Sequence, residues 1–317
     1  MNLFDWDKPT LRITKPVRLI EAFCGIGAQA KALERLGVPF KHWRAYDIDR
    51  YAVASYNAIH GTAFEPTDIC NVHAIDLGIE DTDRYEYILT YSFPCTDLSH
   101  AGRMAGMSKG SGTRSGLLWE VERILDECDK LPQILLMENV PQVVSDKNIK
   151  DFAVWCDFLE SKGYTNHWEI LNAKDYGVPQ NRERCYMVSF LGEYQYEFPK
   201  PIPLERRMKD LLEDEVDEKY YIADEAAEEL CSQIVHVERE REVGTCRTEC
   251  GAAARTHTSG NTHGTLYSRT GAMQIDCRCV GMLTAGRWGT KIEYMRRVYD
   301  PEYVCPTIAT VTGAVWR

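Results

Sequence analysis

An open α/β sheet with ligand loops at its strand ends is the fold class this sequence predicts, and three observations predict it. Short apolar runs alternate with helical patterns from Val17 to about Leu191. A Gly-x-Gly turn, Cys24-Gly-Ile-Gly27, joins the first run to the first helix. Carboxylates then recur where later runs end, at Asp47, Asp68 and Glu138. Such sheets bind ligands at the carboxyl ends of their strands, where glycines let the backbone approach a bound group.

Val17–Phe23 reads as a buried strand, and the helix after the turn spans Ala28–Leu36, closed by Gly37. The third glycine of a dinucleotide fingerprint would fall at Ala30, so the turn fits a nucleotide site or an ordinary tight turn. The second strand, Phe40–Tyr46, ends at Asp47 and Asp49 before a helix over Arg50–Ile59. An acid about 20 residues beyond the glycines is where ribose hydroxyls are gripped. Asp68 stands where a third strand should end; it fits a ligand contact or a helix cap equally.

Tyr85–Ser92 is the expected fourth strand, and it delivers Pro94-Cys95 into a polar loop. A cysteine there fits a nucleophile or a small core residue. Ala101–Gly116, rich in Gly, Ser, Lys and Arg, reads as a mobile, lid-like loop. Leu117, Leu118, Val121, Ile124 and Leu125 mark one face of the next helix. Pro132–Met137 is a fifth strand ending in Glu138-Asn-Val-Pro141. After a helix over Asp151–Lys162 come strands at Tyr164–Leu171 and Arg184–Leu191, the second entered through Gln180-Asn-Arg-Glu-Arg184. Two arginines at a strand entrance fit a solvated edge or a ligand grip.

The Pro-rich link Phe198–Pro203 divides the chain into a catalytic-type domain, 1–198, and a smaller region, 199–317. In the latter, Met208–Glu218 and Asp224–Ser232 read as acidic helices or turns, and the stretch from Gly244 onward is loop-rich with short strand-like runs.

Composition is that of a globular chain with 44% hydrophobic residues and no apolar run long enough to span a membrane. The N-terminus carries acids where a signal peptide needs a basic flank, so a cytoplasmic protein is expected. Its twelve cysteines are then reduced thiols. No metal is expected: Cys246/Cys250 and Cys277/Cys279 lack the two-residue knuckle spacing, and no His pair completes them. The net charge of −11 argues against a generic polyanion binder. Residues 243–317, however, hold nine Lys and Arg against five acids, so that segment carries +4 and the remainder −15. That asymmetry suits a chain in which one region alone meets nucleic acid.

From Val17 to Phe190 these pieces stand in the order of a known family. Phe23-Cys-Gly-Ile-Gly27, Asp47, Asp68-Ile69, Phe93-Pro-Cys95, Glu138-Asn-Val140 and Gln180-Asn-Arg-Glu-Arg184 resemble the first, second, third, fourth, sixth and eighth motifs of the DNA cytosine-5 methyltransferases of bacteria and phages. The resemblance implies a Rossmann-like sheet binding S-adenosylmethionine through Phe23, Gly25, Gly27, Asp47, Ile48, Asp68, Ile69 and Pro94, with double-stranded DNA as substrate. It implies Cys95 as the nucleophile toward carbon 6 of a flipped-out cytosine and Glu138 as the group facing ring nitrogen 3. Arg184 would hold the 2-oxo group and Arg182 would orient the glutamate. Thr96 stands where many members have Gln. The family's ninth and tenth motifs are not found before Arg317, so the chain is expected either to be truncated at its C-terminus or to rely on a second polypeptide that supplies them, in a bacterial or phage-infected cell. The same residues leave open an RNA cytosine-5 methyltransferase and an inactive remnant that binds DNA or cofactor.

Overall fold

Six strands form the central sheet of the computed structural model, which describes residues 9–98 and 105–215 together with the backbone of short strands beyond them. The strands are β1 (Val17–Ala22), β2 (Phe40–Tyr46), β3 (Glu86–Tyr91), β4 (Ile134–Asn139), β5 (Tyr164–Asn172) and, after the two-residue β6 (Gln180–Asn181), β7 (Glu183–Leu191). Their spatial order is β2-β1-β3-β4-β7-β5. β1 pairs in parallel with β2 and β3, β3 pairs in parallel with β4, and β7 runs antiparallel to β4. Register aligns Ala22 with Tyr91 and Tyr91 with Met137, so these three strands end along one edge.

Alternation along each strand builds two apolar faces. Ile20, Ala22, Leu89, Tyr91, Leu135, Met137 and Met187 share one core cluster with Leu118, Leu125, Phe152 and Trp155. Val17, Leu19, Ile88, Ile134, Val188 and Phe190 share the other with Ala30. The helices covering them are α1 (Ala28–Arg35), α2 (Arg50–His60), the single turn α3 (Ala74–Leu77), α4 (Leu118–Glu127) and α5 (Ile149–Ser161). α4 forms because its apolar residues recur every three or four positions; Leu118, Val121, Ile124 and Leu125 are all buried, each worth about 1.5–3 kcal/mol. α2 starts where the Asp49 side chain accepts the N–H groups of Tyr51 and Ala52.

Two expectations change. No strand ends at Asp68: a 3₁₀ turn, Ile69–Asn71, stands there, with Asp68 as its cap, so Tyr85–Ser92 provides the third strand and Pro132–Met137 the fourth. The capping alternative is therefore what this acid does in the fold. The loop read as a mobile lid is anchored over 105–117: Met107 is fully buried, its carbonyl accepts the Trp119 indole N–H at 2.6 Å, and Ser115–Leu117 forms a further 3₁₀ turn. Its composition hid a single apolar anchor. Within the acidic stretch from Met208, Met208–Leu211 is one 3₁₀ turn, the turn alternative of that reading. Residues 101–104 and 216–232 lie outside the described residues, as do the side chains of Cys246, Cys250, Cys277 and Cys279.

The chain divides into two units, Met1–Leu171 with Glu183–Pro199, and Asn172–Arg182 with Lys200–Arg317. The second contains β6 paired in parallel with a strand at Cys305–Pro306, an antiparallel pair of Leu266–Tyr267 with Met273–Gln274, and a three-stranded sheet of Ile234–His236, Cys279–Leu283 and Arg297–Tyr299.

Candidate active site

Backbone conformation shapes the first turn of the sheet edge. Beyond β1, Phe23, Gly25 and Gly27 all have left-handed φ values, of 57°, 53° and 81°. For Phe23 that conformation costs about 1–3 kcal/mol. Gly27 also has no room for a side chain, since a Cβ would lie 2.3 Å from His60 Nε2 and 2.7 Å from a Tyr56 ring carbon. At Gly25 a Cβ would meet nothing within 4 Å, so this face of the turn is open. Within the same turn Cys24 is buried, and burial, then the charges of Asp47 and Glu21, pushes its thiol up to about 12.

Asp47 holds this turn to the end of β2. One carboxylate oxygen accepts the Gly25 N–H at 2.9 Å and the other accepts the Asp49 N–H at 2.9 Å. Its own carbonyl accepts the Thr67 N–H at 2.8 Å, which brings Asp68 and the buried Ile69 to the same neighbourhood. Ile48 is 71% exposed and Ile26 57% exposed. Open backbone at Gly25, a carboxylate and exposed apolar side chains fit a nucleoside-bearing ligand.

The turn after β3 is fixed by different means. The buried Asn139 amide donates to the Phe93 carbonyl at 2.9 Å, and the Ser115 hydroxyl donates to the Pro94 carbonyl at 2.6 Å. The Cys95 carbonyl accepts the Leu98 N–H at 3.0 Å. Asp97 accepts the N–H groups of Arg114, at 2.7 Å, and Ser115, at 3.3 Å, while its carbonyl accepts Gly106 N–H at 3.0 Å. Three successive carbonyls are thus occupied around a half-buried cysteine. Thr96 Oγ1 is buried with no hydrogen-bond partner.

Glu138 sits one residue before the end of β4, opposite Tyr186 in the antiparallel register with β7. Arg184 lies two residues from Tyr186, on the same face, where a long side chain reaches diagonally across an antiparallel pair. Its Nε is 3.0 Å from Glu138 Oε1, and the two side chains are only 13% and 20% exposed. The arginine that meets Glu138 here is the one expected at the 2-oxo group. Arg182 belongs to the second unit, where its N–H donates to the Asn172 side chain at 3.0 Å and its carbonyl accepts Ala173 N–H at 3.0 Å.

The first unit therefore gathers Phe23, Gly25, Gly27, Asp47, Ile48, Asp68, Ile69, Pro94, Cys95, Glu138 and Arg184. Asn139, Asp97 and Ser115 are positioning residues that sequence reasoning missed. Asn139 had a signal, being the middle of Glu-Asn-Val; Asp97 and Ser115 had none, because their pairing spans 18 residues of loop.

Comparison with known proteins fits this arrangement. The model of the C-5 cytosine-specific DNA methylase family matches residues 17–297. The type II methyltransferase M2.ScrFI of Lactococcus lactis subsp. cremoris is 34% identical over 258 residues, covering 65% of this chain and 70% of that protein. The orphan methyltransferase M.SssI of Spiroplasma monobiae is 36% identical over 265 residues, with coverages of 65% and 67%. Among solved structures, Schizosaccharomyces pombe Dnmt2 methyltransferase superposes with a TM-score of 0.51 at 23% identity, over 71% of this chain and 67% of that one. The Entamoeba histolytica methyltransferase EhMeth gives 0.52 at 21% identity, over 67% and 64%. At those identities the structures show the fold alone, a methyltransferase α/β sheet. With the family matched across most of its length, the chain belongs to the C-5 cytosine-specific DNA methylases, enzymes that methylate cytosine with S-adenosylmethionine.

Proposed function

We propose that Cys95 is the nucleophile of this methyltransferase and that Glu138, held by Arg184, activates the cytosine ring. The observation that carries the reading is the Glu138–Arg184 ion pair, placed on the same sheet edge as the pinned turn bearing Cys95.

Carbon 5 of cytosine is too weak a nucleophile to be methylated directly. The Cys95 thiolate adds to carbon 6, and the electron pair of the carbon 5–carbon 6 double bond moves into the ring. Glu138 hydrogen-bonds or protonates ring nitrogen 3 and holds the exocyclic amine, and Arg184 fixes the carboxyl that does so. S-adenosylmethionine, when bound, supplies an electrophilic methyl group for carbon 5. A base removes the carbon 5 proton, the double bond re-forms and the Cys95 thiolate leaves. Phe23, Gly25, Gly27, Asp47, Ile48, Asp68, Ile69 and Pro94 bind the cofactor in this reading, with Asp47 on the ribose hydroxyls.

Double-stranded DNA is the substrate in this reading, and the cytosine is flipped out of the stack to reach Cys95. Residues 1–198 carry catalysis and 199–317 recognise the target, in keeping with the +4 charge of 243–317. No helix among the described residues is long and apolar enough to cross a membrane. We place the protein in the cytoplasm of a bacterial or phage-infected cell, in DNA modification of the restriction-modification kind.

Incubation with unmethylated DNA, tRNA and labelled S-adenosylmethionine in competition tests the proposal. Label mapped to 5-methylcytosine in DNA supports it; label in tRNA alone replaces the substrate. If product requires an added polypeptide carrying the ninth and tenth motifs, the expected second chain is real; full turnover without it removes that expectation.

A further inference from the structure

We propose that Glu34, His42 and His60 form a site for one divalent transition-metal ion beside the glycine turn. Glu34 comes from α1, His42 from β2, and His60 is the last residue of α2. One ligand atom from each lies within 4.8 Å of the other two. His60 Nδ1 is 3.1 Å and His42 Nε2 3.9 Å from the same oxygen, Glu34 Oε1. Ligand atoms around a tetrahedral zinc with bonds of about 2.0–2.1 Å stand about 3.3 Å apart, so the widest gap, between the two histidine nitrogens, closes by at most about 1.5 Å. Glu34, whose side chain is 33% exposed, can shorten its own 3.9 Å distance to His42 Nε2, and the histidine rings close the rest.

The hydrogen bonds behind these atoms decide what they can be. Tyr56 donates its hydroxyl proton to the fully buried Glu21 carboxylate at 2.5 Å, and Ala30 N–H donates to the other oxygen at 3.2 Å. The Tyr56 oxygen is therefore an acceptor for His42 Nδ1, 2.8 Å away. With its proton on Nδ1, neutral His42 presents a bare lone pair at Nε2, toward Glu34. His60 is constrained in the same way. Its Nε2 is 3.2 Å from the Ile26 carbonyl, which can only accept, so neutral His60 presents its lone pair at Nδ1, again toward Glu34. With both imidazoles in these neutral tautomers, three electron-pair donors converge.

Metal-bound histidines characteristically give their second ring N–H to a carbonyl or a hydrogen-bonded oxygen, and both histidines here do. The other Glu34 oxygen is held by Lys31 Nζ at 2.6 Å, which orients the carboxylate. Two imidazoles and one carboxylate suit zinc, cobalt or nickel, with water completing the shell. The His60 side chain is fully buried against the turn, so an ion there would fix the ring that holds Ile26 and packs under Gly27. The inference uses none of the residues assigned to methyl transfer, and its failure leaves that assignment intact.

Zinc titration of the chelator-stripped full chain against a chromophoric competitor, with Co2+ absorption as a second probe, tests the site. Wild type is expected to bind one equivalent that His42→Ala and Glu34→Gln weaken by about ten- to a hundredfold, both variants keeping the wild-type circular dichroism. Cobalt is expected to give d–d bands without thiolate charge transfer. The proposal is overturned by equal affinity in wild type and Glu34→Gln, by a cobalt signal of thiolate type only, or by a folded wild type that binds no zinc.

Discussion

Cys24 and Cys95 follow the ends of neighbouring parallel strands, two residues beyond β1 and four beyond β3, yet their surroundings make them different groups. Cys24 is 5% exposed beside two carboxylates, and its thiol is pushed up to about 12. Cys95 is half-buried in a turn whose carbonyls are occupied by Asn139, Ser115 and Leu98, with the side chain outside that network. The difference teaches that position at a strand end does not by itself make a nucleophile; in the proposed reading a pinned backbone around a half-buried cysteine does.

The sharpest contrast comes from replacing each in turn. Cys95→Ala is expected to lower methyl transfer at least about a thousandfold with Tm within about 3 °C of wild type. Cys24→Ala keeps measurable turnover. A Cys95→Ala enzyme of normal rate would erase the distinction.

Next in size is Arg184→Ala, which leaves Glu138 largely buried without this partner. It is expected to cost about 3 kcal/mol in denaturant unfolding and to lower kcat, whereas Arg184→Lys restores part of the stability and less of the rate. Unchanged stability would mean that the ion pair is not formed in solution.

Asn139→Ala breaks the bond to the Phe93 carbonyl and tests the pinned turn. The expected loss is about 1–2 kcal/mol of stability with kcat down about tenfold and KM little changed. A pure KM effect would place Asn139 in binding rather than in positioning.

The smallest effect is alkaline. Burial raises the thiols of Cys24 and Cys185 from an ordinary 9.0 to about 12, so the folded chain keeps protons that the unfolded chain releases near 9. That stability is fully present below the unfolded value and is lost as pH rises toward the folded one. Tm is expected to fall between about pH 8.5 and 10.5 and to fall less in Cys24→Ala. A flat profile would contradict the buried environment of Cys24.

Much of this was legible in the sequence because local pattern and ligand edge coincide. Phe40–Tyr46 is a strand with the bounds read from the sequence, and the glycine turn, Asp47, Cys95 and Glu138 all stand at or just beyond strand ends. What pattern missed depends on distant contacts. Asp68 precedes a 3₁₀ turn rather than ending a strand because its neighbours Ile69 and Val72 bury without pairing. Residues 101–116 read as mobile because their anchors, the buried Met107 and the distant Asp97, carry no period. The Glu34–His42–His60 group was invisible for the same reason: it is drawn from a helix, a strand and a second helix, with no spacing to betray it.

The central claim is that Cys95, and not Cys24, attacks the base. DNA carrying 5-fluorocytosine cannot lose its carbon 5 substituent as a proton, so with S-adenosylmethionine it should trap the enzyme as a covalent adduct. Peptide mapping is expected to place the DNA on Cys95, with the adduct kept in Cys24→Ala and absent in Cys95→Ala. An adduct on Cys24, or one that persists in Cys95→Ala, would contradict the account.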